Sequence, residues 1–323
     1  MNFSLQLVIY VILIAFIINI VLCPITIPFL TKLKFGQNVR DDGPKSHLIK
    51  SGTPTMGGIM ILISLIIASL FFLKGNKDSL AVLFVTIGYG IIGFIDDYIK
   101  VVKKRSLGLR AYQKIIGQVI ITGIFLYYLY NHTNIGTEIY IPFTDGKSID
   151  MGILFIPFSF IVMVGTVNSV NLTDGLDGLA SGVTILVVIF FLFISLIVNQ
   201  GLLPITGAAV GSLLGFLLFN THPAKVFMGD TGSLALGGLV ASIAILMKMP
   251  LFILIVGIIY VLEAISVILQ VGYFKITKGK RLFKMAPLHH HFEQCGWKEV
   301  KVVAVFYIIT AIACLVGFLS YSF

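Results

Sequence analysis

Runs of apolar residues roughly 17 to 25 long follow one another from end to end of this 323-residue chain, and each has the length a helix needs to cross a bilayer's hydrocarbon. In lipid a backbone must satisfy its own hydrogen bonds, so runs of this length restrict the chain to a bundle of membrane helices. With 58% hydrophobic and 11% charged residues, the composition is far from that of a soluble domain, and no polar stretch is long enough to form one. The expectation is an all-α polytopic membrane protein, a single integral domain over 1–323. Ten spans are expected near 3–30, 55–73, 80–99, 114–130, 151–168, 179–198, 203–220, 232–248, 250–274 and 300–321. The first run has no positively charged segment before it and no small-residue cleavage site after it. It therefore reads as a retained span and not as a signal peptide.

Charge sets the expected orientation. With the N-terminus outside, the loops at 31–54, 99–114, 169–178, 221–231 and 275–299 share the cytoplasmic side, and with Lys301 they take 19 of the 23 Lys and Arg residues. Basic residues are retained on the cytoplasmic side, so both termini are expected outside. A net charge of +9 would suit nucleic acid, but the basic residues lie in short loops with no nucleic-acid motif, and no such partner is expected. The three cysteines, Cys23, Cys295 and Cys314, have no metal-ligand spacing. Outside the membrane, 131–150 reads as a small β-hairpin, because Asp145-Gly146 is a good tight-turn pair. No internal repeat suggests an inverted-repeat transporter.

Acids are rare near hydrocarbon and usually functional. Here they gather on the cytoplasmic side. Asp96 and Asp97 end the third span, with Lys100 one turn on; two adjacent carboxylates exceed what one lysine neutralises, which suits a metal, a proton or both. The loop after the fifth span carries Asn168, Asn171, Asp174 and Asp177 among Gly175, Gly178 and Gly182. It has no Lys or Arg, so a cation or hydrogen-bonding ligand from elsewhere accounts for its acids better than capping alone. Asp230 precedes a Gly/Ser-rich helix start in Gly229-Asp230-Thr-Gly232-Ser, a composition that favours anions through exposed backbone N–H groups. In the last basic loop, His289-His290-His291 cannot all ligate one ion, since consecutive side chains diverge; a histidine there can donate to phosphate or carry a proton. Lys45, Lys50 and a Gly/Thr/Pro-rich stretch through Thr55 precede the second span and could meet phosphate.

Carboxylates for a divalent cation, lysines to offset phosphate charge and a base for an attacking oxygen are the parts phosphoryl transfer needs. The donors are mostly oxygen, which fits Mg²⁺ better than Zn²⁺. Taken in order, Gly52-Thr-Pro-Thr-Met-Gly-Gly58, Asp96-Asp97-Tyr-Ile-Lys100, Asn171-Leu-Thr-Asp-Gly-Leu-Asp-Gly178, Val226-Phe-Met-Gly-Asp-Thr-Gly-Ser233 and Pro287-Leu-His-His-His-Phe-Glu293 resemble the phospho-N-acetylmuramoyl-pentapeptide-transferases (translocase I). That family belongs to the wider polyprenyl-phosphate sugar-1-phosphate transferases. The likeness extends over nearly the whole chain; Ser169 stands where the family often has alanine.

The resemblance implies transfer between UDP-N-acetylmuramoyl-pentapeptide and undecaprenyl phosphate, giving lipid I and UMP. It also implies Mg²⁺ dependence, a homodimer, and a bacterial plasma membrane with the active site on its cytoplasmic face. By resemblance Asp230 is the Mg²⁺ ligand, Asp96 and Asp97 lie at the catalytic centre with Asp97 the preferred base, and His289 positions phosphate or assists proton transfer. Phe227 would stack on uracil, with Asn168, Asp174, Gly175 and Asp177 lining the nucleoside pocket. Lys50, Thr55, Lys100, Asn220, Gln270 and His290 are expected substrate contacts. Gln270 and Glu263 are polar groups in the ninth span, costly enough in lipid to face the protein interior or a groove. Two rival readings remain: a sister enzyme transferring N-acetylglucosamine-1-phosphate, and an ion-coupled transporter.

Overall fold

The computed structural model describes residues 3–32, 52–73, 75–103, 108–133 and 135–321. They form α1 (Phe3–Lys32), α2 (Gly58–Phe72), α3 (Lys77–Val102), α4 (Ala111–His132), a two-stranded sheet of β1 (Glu138–Tyr140) and β2 (Ser148–Asp150), then α5 (Phe155–Thr173), α6 (Leu179–Val198), α7 (Leu203–Asn220) and α8 (Gly229–Leu246). The chain ends with α9 (Ile253–Val256), α10 (Ile258–Ile276), α11 (Leu288–Gln294) and α12 (Glu299–Ser320). Among the described residues eight helices are long and apolar enough to cross a membrane. The expected second span is a 15-residue helix, α2, and the expected fourth, α4, has 22 residues but is not among those eight.

The ninth expected span is interrupted. A 3-10 turn at Pro250–Phe252 leads into α9, and the helix restarts as α10 beyond Gly257. Gly257 leaves the helical region at φ −94°, ψ 26°, and a Cβ there would lie 2.7 Å from the Ile253 carbonyl oxygen. The apolar pattern carried no sign of this break, because the residues on both sides of Gly257 are apolar.

The glycine-rich eighth span is the centre of the bundle. α8 packs chiefly against α3 and α5 and also touches α2, and Thr231 through Leu246 are all buried. Such packing needs backbones to approach without side chains between them. A Cβ on Gly58 of α2 would sit 2.1 Å from the Gly232 nitrogen, and one on Gly93 of α3 would sit 2.1 Å from the Asp230 carbonyl oxygen. These two contacts bring the starts of α2 and α8 and the end of α3 to one place.

The hairpin lies at the other end of α8. Ile139 pairs opposite Ile149, and Asp145 and Gly146 both take positive φ, the geometry a tight turn of primed type demands. Backbone bonds from Tyr140 to the Lys248 carbonyl (2.7 Å) and from Phe143 to the Ser320 carbonyl (3.0 Å) dock it on the ends of α8 and α12. The 18 residues of α8 separate it from Asp230 by roughly 27 Å at helical rise.

Candidate active site

The close approach at Gly93 sets Asp96 and Asp97, in the last turns of α3, against the first turn of α8. Asp97 caps that helix from outside its own chain segment. Its carboxylate accepts from the Asp230 N–H (3.2 Å), the Thr231 N–H (2.8 Å) and the Thr231 hydroxyl (2.7 Å). Free N–H groups at a helix start favour a negative partner, so Asp97 is held in place by the helix that presents Asp230.

Asp96 is fully buried. Its Oδ1 accepts from the Leu109 N–H at 2.7 Å and lies 3.1 Å from Lys114 Nζ. Its Oδ2 has no hydrogen-bond partner of good geometry, although Lys100 Nζ stands 2.6 Å away as an ion pair. Asp230 completes the group: Oδ2 faces Lys114 (2.5 Å) and Lys100 (3.2 Å), and Oδ1 accepts from Asn171 Nδ2 at 3.0 Å. The same amide also reaches Ser233 Oγ at 2.8 Å, fixing α5 to α8. Lys114 is a functional candidate the sequence reading missed. It begins the fourth apolar run and was explained there by membrane orientation alone.

One oxygen from each of Asp96, Asp97 and Asp230 lies within 4.8 Å of the others. An all-carboxylate set suits a hard divalent cation, and Mg²⁺ over Zn²⁺. The residues present fit that metal.

Asp174 closes α5, with its carboxyl beside the Gly229 N–H. Burial, then the charges of Asp230 and Asp97, push it up to about 7, against an ordinary carboxyl near 4. Next to it, Gly175 lies under an imidazole: a Cβ there would be 2.1 Å from His289 Nε2. The structure therefore unites the histidine loop with the fifth-span loop, residues expected in one site from separate segments. His289 is buried on the short helix α11 and is gripped by Glu263 of α10, with Nδ1 3.1 Å from Oε2.

The remaining candidates sort into those near the centre and those with structural partners. Pro54 O and the Gly57 and Gly58 N–H groups bond to Phe227 and Met228 (2.8–2.9 Å), which brings Thr55 beside Gly229 and places Phe227 next to α8's start. Asn168 pairs with Gln118 of α4, its Nδ2 donating at 2.8 Å. Asn220 is buried, donating to the Val226 carbonyl and accepting from Ser181 Oγ; its amide holds the turn before α8. Gln270 holds the loop after α10, accepting from Leu282 and Phe283 and donating to the Phe283 carbonyl. His290 Nδ1 faces Glu293 at 2.8 Å. Lys50 lies outside the described residues.

Asp177 sits in a second cluster. Its carboxylate accepts from the Ala224 N–H (3.0 Å) and faces His222 Nδ1 (3.0 Å), while its own N–H donates to Glu299 (2.7 Å). These bonds tie the start of α12 to the turns on either side of α6 and α7. Glu299 was not singled out in the sequence, because an acid in a helix's first turn needs no partner to explain it.

Comparison with known proteins follows the same residues. Residues 79–248 match the family model described as Glycosyl transferase family 4, and residues 50–62 match Phospho-N-acetylmuramoyl-pentapeptide-transferase signature 1. The chain is 55% identical over 310 residues to the phospho-N-acetylmuramoyl-pentapeptide-transferase of Clostridium botulinum (strain Eklund 17B / Type B), covering 95% of this chain and 94% of that one. The enzyme of the same name from Acetivibrio thermocellus is 52% identical over 97% of this chain and 94% of its own. That from Caldanaerobacter subterraneus subsp. tengcongensis is 53% identical over 98% and 99%.

Proposed function

This chain belongs to the phospho-N-acetylmuramoyl-pentapeptide-transferase family, and we propose that it transfers phospho-N-acetylmuramoyl-pentapeptide from its UDP carrier to undecaprenyl phosphate, giving lipid I and UMP. It is a multi-pass membrane phosphosugar transferase of peptidoglycan synthesis. The observation that carries the chemical reading is the convergence of Asp96, Asp97 and Asp230 with Lys100 and Lys114 at the junction of α3 and α8. Three carboxylates and two lysines can receive a divalent cation and a diphosphate together.

Asp96, Asp97 and Asp230 would hold Mg²⁺, with Asp230 the main ligand. Bound there, Mg²⁺ would polarise phosphoryl oxygens and favour departure of UMP. Lys100 and Lys114 then offset charge on the phosphates, and their ion pairs already set their ammonium groups at the centre. Asp97 is the proposed base toward the lipid phosphate, its carboxylate steered by Thr231. His289 faces the same turn as Asp174 and contacts phosphate or moves a proton at Nε2. Phe227 is the proposed stacking partner for uracil, with Asn168, Asp174, Gly175 and Asp177 proposed to line the nucleoside pocket; Thr55, His290 and Lys50, the last outside the described residues, are proposed substrate contacts. Asn220 and Gln270 are proposed substrate contacts as well, each also bonded to a neighbouring turn.

The same reading sets the acidic centre on the cytoplasmic side of a bacterial plasma membrane, the hairpin outside, and two copies in a dimer. The excess of basic residues in the loops of the acidic end supports the orientation. The test is direct: purified protein with undecaprenyl phosphate, Mg²⁺ and UDP-N-acetylmuramoyl-pentapeptide should release UMP and form a lipid-linked product, both lost on chelation. UDP-N-acetylglucosamine in its place should give neither. Product from the second sugar alone would overturn the substrate assignment.

A further inference from the structure

Glu263 is fully buried within α10, a segment with the length and composition of a membrane span. A carboxylate in that setting is costly unless its oxygens find donors. Both donors come from one residue. Oε1 accepts from the His289 backbone N–H at 3.2 Å, and Oε2 lies 3.1 Å from His289 Nδ1. Among the described residues no Lys or Arg forms an ion pair with Glu263; the ring that faces it is His289.

The other ring nitrogen is buried without a partner among the described residues. His289 is 1% exposed, yet among the described residues its Nε2 has no hydrogen-bond partner. That nitrogen is aimed across Gly175, where a Cβ would lie only 2.1 Å away. A buried polar atom left without a partner is expensive and calls for an explanation. Any side chain at 175 would collide with that nitrogen.

A carboxylate only accepts, so its contact with Nδ1 puts a proton on that nitrogen. The bond made by one ring nitrogen decides what the other can do. Nε2 is then either a lone pair open to a proton or, in the imidazolium, an N–H directed at an anion. Both suit a phosphoryl oxygen beside Asp174.

We infer that Glu263 is a positioning residue for the transfer: it clamps residue 289 at backbone and ring, holds the Nδ1-protonated form, and directs Nε2 over Gly175 toward a substrate phosphoryl oxygen. The inference rests on the phosphosugar-transfer reading, and the tautomer it assigns does not.

The test uses the full chain in lipid nanodiscs with ¹⁵N-labelled histidine, the His289 signals being those lost in His289→Asn. The wild type should show a protonated Nδ1. Glu263→Gln keeps the side chain's size, but its NH₂ can donate to Nδ1, so the Nε2-protonated form should appear. Turnover should fall roughly 10- to 100-fold from the misdirected ring, with KM for the UDP-sugar held within about twofold. Glu263→Asp, which keeps the charge, should recover part of the loss. Added to His289→Asn, Glu263→Gln should cost nothing more, because its effect runs through that ring. An unprotonated Nδ1 in the wild type overturns the inference without any variant. So does an unchanged ¹⁵N pattern in Glu263→Gln, or a loss that adds fully to that of His289→Asn. If the wild type makes no lipid-linked product, the functional reading fails, while the ¹⁵N signals still decide the clamp.

Discussion

The carboxylate of Asp97 accepts from both the backbone N–H and the hydroxyl of Thr231, at 2.8 and 2.7 Å, across 134 positions of sequence. This makes one residue both a helix cap and a member of the acidic centre. The two roles separate by mutation. Asp97→Asn should lower turnover by roughly 10²-fold or more, as loss of a general base does, and leave UDP-sugar affinity intact. Thr231→Val, which removes one donor and keeps the backbone one, should cost less than about tenfold. Phe227→Ala should do the reverse of Asp97→Asn, weakening UDP-sugar binding more than saturated turnover. Steady-state rates and calorimetric affinities for the three variants are the check; an Asp97→Asn enzyme with full kcat and lost affinity would move the base elsewhere.

Asp230 touches Lys100, Lys114 and Asn171, so its charge organises the centre even before a metal binds. Asp230→Asn should give a folded, membrane-inserted protein without measurable transfer, because an amide keeps the shape and loses the attraction for Mg²⁺. Near-normal turnover with an unaltered Mg²⁺ requirement would reduce Asp230 to a helix-start residue.

Gly58 and Gly93 permit the backbone contacts that assemble the site. Gly58→Ala drives a Cβ into the Gly232 backbone, so α2 and the first turn of α8 must separate. Overpacking of this kind costs about 1–3 kcal/mol. The expected result is a lower thermal midpoint together with loss of activity. By contrast Gly272→Ala, where a Cβ meets nothing within 4 Å, should be silent in both assays.

Asp174 carries a pH dependence with a definite sign. Its carboxyl is pushed up to about 7 in the folded protein by burial and by Asp230 and Asp97, so the native state keeps a proton that the unfolded chain releases near 4. The native state is therefore favoured at low pH, and stability falls as pH rises from about 4 toward 7. In Mg²⁺-free detergent solution, Asp174→Asn should flatten that slope and raise the thermal midpoint at pH 8. An unchanged slope would show that Asp174 is ionised in the fold.

Orientation is tested by labelling. A cysteine placed at position 280 in a chain stripped of its three natural ones should resist an impermeant reagent applied from outside, and one at position 145 should react. The opposite pattern would place the acidic centre on the wrong face for a nucleotide substrate.

The helices and the clusters were legible for different reasons. Apolar runs of spanning length can do little in lipid but form helices, so their positions follow from composition alone. Asp96, Asp97, Asp174 and Asp230 stood out because a carboxylate beside hydrocarbon carries a cost that demands an account. Lys114 had no such mark, since a lysine at an end of a run expected to face the cytoplasm is already explained. Asn220 and Gln270 are expected substrate contacts by the family resemblance alone; the turns they also bond to are set by tertiary contacts.

What the sequence determined by itself was a helical membrane protein, the end of the bundle where its acids lie, and the family it resembles. Only the tertiary structure decided that glycine-rich α8 is the centre, that α3 caps its first turn, and that Glu263 grips His289 above Gly175. Two of those outcomes, Asp97 on Thr231 and His289 over Gly175, depend on groups meeting within a few ångströms across more than a hundred residues of chain. Local pattern records which face of a helix is apolar; it does not record which other helix will lie against it.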